Sequence, residues 1–104
     1  MIYYYNKLVR DKIVENIKNK GCKSEFKVLN EDEYKIELDK KLLEEVNEVI
    51  EAHSAEEIGD LLEVILAVMK EYNISEDDVK IQMEKKRKAK GSFDNKIYLI
   101  SVEE

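Results

Sequence analysis

Apolar residues return at helical intervals in four stretches of the chain and alternate in two short ones. Leu8, Ile13 and Ile17, with Val9 and Val14 alongside, predict a first helix over about 7–20 that stops at Gly21. Asn30 can cap a second helix, with Glu33 three residues on in capping-box spacing. Its apolar positions run through Tyr34, Leu38, Leu42, Val46 and Val49 to about His53, roughly 33 Å of helix. Ser54 and Glu57 open a third, reaching about Tyr72. From Leu61 to Met69, eight of its nine residues are apolar, so it is buried on most sides. The fourth starts at Ser75, with Asp78 in its first turn, and ends near Gly91; its apolar stripe of Val79, Ile81 and Met83 is thin. Segments 25–29 (EFKVL) and 96–102 (KIYLISV) read as short extended strands that can pair. Short loops between long helices favour an antiparallel four-helix bundle. The expected fold is all-α with a small extended appendage.

Composition sharpens this picture. A chain of 104 residues forms one domain, 1–104. It has no proline and three glycines, which favours helices over a turn-rich β fold. A small domain cannot by itself surround a helix apolar nearly all round, so a homodimer or homotetramer is expected to cover the rest. The net charge of −6 argues against a nucleic-acid partner. The basic run Lys85, Lys86, Arg87, Lys88 and Lys90 has no interleaved aromatics, and it suits the negative end of a helix dipole. The single cysteine, Cys22, excludes an internal disulfide framework and any Cys-based zinc spacing. No apolar stretch reaches the length of a membrane span, and no secretory signal is visible. The expectation is a cytoplasmic protein with no membrane partner.

The candidate chemistry lies in the acidic residues at the middle of the chain. Glu44, Glu45 and Glu48 fall within about one helical turn, and Glu57 and Asp60 share a face of the next helix. A tight turn at His53 and Ser54 makes these helices antiparallel neighbours, so the carboxylates converge near it. Together they repel one another and are costly to desolvate. Protons relieve this, and so does a hard divalent cation. Magnesium takes oxygen ligands and shares its shell with substrate phosphates, which suits phosphate chemistry. An EExxE pattern alone also describes a solvated helix face, and Ser54 with Glu57 also describes an ordinary capping box. Asp60 separates the readings, because it leads directly into the most apolar helix. Glu63, in that helix, either pairs with a lysine or faces out. The chain has one histidine and no Glu-x-x-His pair, against a di-iron site. It also has no glycine-rich phosphate loop.

These residues resemble a known family. The segment KLLEEVNEVIEAHSAEEIGD, from Lys41 to Asp60, is similar to the EExxE…ExxD signature of the all-α nucleoside triphosphate pyrophosphohydrolases, the MazG-like and phosphoribosyl-ATP pyrophosphohydrolase-like proteins. The opening YNKLVRDKI and the later KGSF resemble segments of one small single-domain branch. The resemblance implies magnesium-dependent hydrolysis between the α and β phosphates of a nucleotide, with manganese as a substitute metal. By the same analogy Glu45, Glu48, Glu57 and Asp60 hold the metal. Glu44 is a further ligand or orients the attacking water, so that Glu44, Glu45 and Glu48 form the catalytic set. Lys7, Arg10 and Lys12 of the first helix, Lys41 of the second, and Arg87 and Lys90 of the fourth contact phosphate. Three features depart from the pattern. Only eight residues separate Glu48 from Glu57, Val14 stands where the branch often has proline, and Ser92 replaces a second glycine. A phosphoribosyl-ATP pyrophosphohydrolase and a non-catalytic oligomeric helical adaptor are the alternative readings.

Overall fold

The computed structural model describes residues 1–104, and every regular element in it is helical. Helices α1 (Ile13–Asn19), α2 (Glu31–Ala52), α3 (Ala55–Glu71) and α4 (Glu76–Lys90) follow in chain order. The chain divides into two compact units, Met1–Tyr72 and Asn73–Glu104.

In the first unit, α2 and α3 form a helical hairpin. Asn30 starts α2 with a full capping box: its side chain accepts from the Glu33 N–H at 2.8 Å, and its own N–H donates to Glu33 Oε1 at 3.2 Å. The bond from the Asn30 N–H, and after it the Lys27 ammonium at 3.2 Å, hold the Glu33 carboxyl below its usual range. His53 ends α2 in the left-handed conformation, φ 48°, which turns the chain at once into Ser54. The Ser54 hydroxyl then accepts from the Glu57 N–H at 3.2 Å and caps α3. A connection of two residues leaves α3 no choice but to run back along α2. Leu38, Val64 and Met69 are the buried apolar side chains, with Leu38 only 1% exposed.

Helix α1 covers less of the chain than its apolar spacing suggests. Asn6 is left-handed at φ 47°, so residues 7–10 do not continue a helix from the N-terminus. The helix begins after a turn in which the Ile13 N–H bonds to the Arg10 carbonyl at 3.1 Å. Lys7 and Arg10 therefore lie before α1 and Lys12 is its N-cap, which corrects their placement on a first helix. The C-terminus follows expectation: Gly21, at φ 80°, closes a Schellman motif with bonds from Gly21 N to Lys18 O and from Cys22 N to Ile17 O.

The second unit holds α4, capped by Ser75 through the Asp78 N–H at 3.0 Å, with Arg87, Lys88 and Lys90 in its last turn. The two expected strands do not form. Segments 25–29 and 96–102 carry no ladder hydrogen bonds, and Phe26, Val28, Ile97, Tyr98, Leu99 and Ile100 are exposed. Alternation by itself supplies no partner edge, and an unpaired strand has nothing to bond. No helix is long and apolar enough to cross a membrane. Two substitutions probe the hairpin. Asn30→Ala removes a cap and is expected to cost about 1 kcal/mol, and Leu38→Ala roughly 2–5 kcal/mol. Urea titration followed by circular dichroism checks both, and equal small effects would remove Leu38 as the central packing residue.

Candidate metal centre

The tight turn brings acidic residues of both helices together. One carboxylate oxygen each from Glu45, Glu57 and Asp60 lies within 4.8 Å of the other two. Glu45 comes from the inner face of α2 and is the one buried charged residue, at 8% exposure. Glu57 and Asp60 come from the first turns of α3 and are half-buried. The Ser54 cap uses only the Glu57 backbone. No return bond from the Glu57 side chain closes a capping box, so that carboxylate is free to join the group.

Cations surround the cluster. Lys41, one turn before Glu45, reaches Glu44 at 2.8 Å and Glu45 at 3.3 Å. From the segment before α1, Lys7 Nζ bonds Glu44 Oε1 at 3.0 Å, and Arg10 Nη2 bonds Asp60 Oδ1 at 2.8 Å. Burial pulls the Lys41 ammonium down, but its bonds to Glu44 and Glu45 outweigh that and raise its pKa. The Glu44 carboxyl is held low, chiefly by Lys41 and then by Lys7, against burial that pushes it up. Glu57 goes the other way. Desolvation raises its pKa, and the charges of Glu48, Asp60, Glu56 and Glu45 add to the rise.

The residues read from the sequence fall into three sets. Glu45, Glu57 and Asp60 stand together. Glu44 lies beside them, tied to two lysines, and Glu48 is exposed at the edge, close enough for its charge to act on Glu57. Lys7, Arg10 and Lys41 are counter-ions of the carboxylates in this structure, while Lys12 is exposed and forms no ion pair. Arg87 and Lys90 belong to the second unit and are exposed in the last turn of α4. Glu63 faces out. What sequence reading missed was the ion pairing of Lys7 and Arg10, for which linear spacing carries no signal. The Lys41 pairs were visible as i,i+3 and i,i+4 spacings.

Oxygen donors at about 2.1 Å from magnesium stand roughly 3.0–4.2 Å apart. Of three octahedral ligands at least two pairs are cis, about 3.0 Å apart, so oxygens spaced up to 4.8 Å close by up to about 1.8 Å, a movement that side-chain rotation supplies. As an all-oxygen donor set the three carboxylates could hold a hard cation. Comparison of the chain with protein-family models, curated proteins and solved structures finds no match in any of the three.

A raised pKa means that ionised Glu57 weakens the fold: its contribution declines as pH rises through the carboxylate range and on through the raised value. Glu57→Gln is therefore expected to raise the thermal midpoint at pH 7 in chelated buffer, with the gain shrinking as pH falls and the native residue takes up its proton. Glu44 has the opposite sign: with its pKa lowered, its ion pairs support the fold above the ordinary carboxylate value and are lost as pH drops through the lowered one. A midpoint for Glu57→Gln below that of the unmodified chain at pH 7 would contradict the repulsion described here.

Proposed function

We propose that the chain is a divalent-cation-dependent nucleotide pyrophosphohydrolase, cleaving the α–β phosphoanhydride of a nucleoside triphosphate to a monophosphate and pyrophosphate. The observation that carries this reading is the convergence of Glu45, Glu57 and Asp60 from two helices, with Lys7, Arg10 and Lys41 beside them. Carboxylates and cations alternate within a few ångströms, as a site for a metal–polyphosphate complex requires. The resemblance of the Lys41–Asp60 segment to the EExxE…ExxD signature supplies the reaction class.

On this reading Glu45, Glu57 and Asp60 hold magnesium, with Glu48 joining from the rim; manganese substitutes. The ion, when bound, neutralises phosphate charge and lowers the pKa of water. The protein's own groups do the rest. Lys7 and Arg10, on a segment outside the helices, turn to phosphate oxygens, as does Lys41. Glu44 orients water for attack at phosphorus. The water oxygen bonds to phosphorus, its proton passes to a carboxylate, and the bond to the bridging oxygen breaks as pyrophosphate leaves. Fixed positive groups aimed at the developing charge supply most of the rate.

Pyrophosphate release from a panel of ribo- and deoxyribonucleoside triphosphates, with magnesium and with EDTA, tests the reaction. Metal-dependent release of pyrophosphate is expected. Asp60→Ala should lower it on the order of 100-fold or more with helicity intact, and unchanged turnover in both Asp60→Ala and Glu45→Gln would refute the site. Magnesium at 100 times its dissociation constant should stabilise the fold by about 2.7 kcal/mol, roughly 10 °C or more in thermal midpoint. No turnover on any nucleotide together with no magnesium shift would leave the adaptor reading. A magnesium shift without turnover would direct the search to phosphoribosyl-ATP.

A further inference from the structure

Two cations touch the three clustered carboxylates, and they are held in different ways. Lys41 sits one turn before Glu45 on α2, with a side chain only 17% exposed, and binds Glu44 and Glu45 together. The helix keeps it there. Arg10 reaches Asp60 across 50 residues of chain through one bond, Nη2 to Oδ1 at 2.8 Å. Its side chain is 58% exposed. No main-chain hydrogen bond ties residues 1–9 to the hairpin. The Lys7–Glu44 pair and the half-buried Leu8 add to the hold on this segment. Arg10 can therefore leave Asp60 without the loss of any helical bond.

A divalent cation held by Glu45, Glu57 and Asp60 would compete with the Arg10 guanidinium for one carboxylate. While Arg10 is bonded to Asp60, its charge cancels part of the negative potential that attracts the ion, and two positive groups so close repel each other. A single exposed ion pair contributes little, whereas the ion is drawn by three carboxylates at once. Closing their oxygens around it moves Asp60, and a bond of 2.8 Å is lost once it stretches by about half an ångström. The ion wins that competition.

We infer that Arg10 is a resident cation that occupies Asp60 in the metal-free protein, and that a divalent cation displaces it and so frees it for an anion. The inference rests on the metal reading proposed above and adds an order of events to it. Until the metal arrives the guanidinium is engaged, so an anion meets a free Arg10 only at a metal-loaded site. Once released, its N–H donors suit the paired oxygens of a phosphate. The coupling is reciprocal: the metal loosens Arg10, and Arg10 on Asp60 weakens the metal.

The test uses the full chain with magnesium alone. The sequence has two arginines, Arg10 and Arg87, and Arg87, exposed in the last turn of α4, is an internal reference for a mobile side chain. Nitrogen-15 relaxation of the two Nε–Hε groups should show Arg10 more ordered than Arg87 in EDTA and equally mobile once magnesium is added. In calorimetric titration, Arg10→Gln should bind magnesium roughly two- to fivefold more tightly, the range that a surface ion pair supplies. Lys12→Gln, which removes the same charge from an exposed residue two positions on, should leave the affinity unchanged. Equal tightening in both variants would reduce the effect to net charge and overturn the inference. Magnesium binding that leaves Arg10 ordered, or that Arg10→Gln weakens, also overturns it and leaves the metal reading standing, with Arg10 then steadying Asp60 for the ion. If Arg10→Gln fails to fold, the relaxation of the unmodified chain still decides. No magnesium binding by the unmodified chain defeats the metal reading and this inference together.

Discussion

Glu45 is the one charged side chain that this fold buries, and it is buried next to two further carboxylates. Bringing Glu45, Glu57 and Asp60 within 4.8 Å of one another opposes folding, so much of the first unit is arranged to offset it. Lys41 binds Glu45 from the preceding turn of the same helix, and Arg10 reaches Asp60 from a distant part of the chain. The residues before α1 are held along the hairpin by these ion pairs rather than by helical hydrogen bonds. Surface ion pairs contribute little singly; these matter because they neutralise a cluster that the backbone has already assembled.

The backbone assembles that cluster by local means. A full capping box starts α2, a left-handed His53 stops it, and Ser54 restarts the helix immediately. Those few residues fix the direction of α3 and the height at which Glu57 and Asp60 stand beside Glu45. A longer linker would let the carboxylates drift apart under their own repulsion. The Glu57 side chain, released from capping duty, is left with a raised pKa and four acidic neighbours. A cation placed beside Glu57 would offset that repulsion.

Much of this was legible in the chain. The spacing of Asn30 and Glu33, the pair Ser54 and Glu57, and Gly21 after Ile17 mark helix ends by bonds made within a few residues, and each is found where it was read. The convergence of Glu45, Glu57 and Asp60 followed from helical periodicity and a two-residue turn. The start of α1 did not follow, because Leu8, Val9 and Ile13 have helical spacing while Asn6 and the ion pairs of Lys7 and Arg10 take the chain elsewhere. The segments at 25–29 and 96–102 alternate like strands, yet a strand needs an edge to bond and alternation does not provide one.

The sequence by itself determined the helical class, the caps, the hairpin and the inward carboxylates, because all of these depend on interactions that span one or two turns of chain. Only the tertiary structure decided that Glu48 stands at the rim while Glu45 is buried, and that Lys7 and Arg10 serve as counter-ions. Each of those depends on which groups meet across tens of residues, and such meetings are set by competition for burial and charge neutralisation over the whole unit, which no local spacing records.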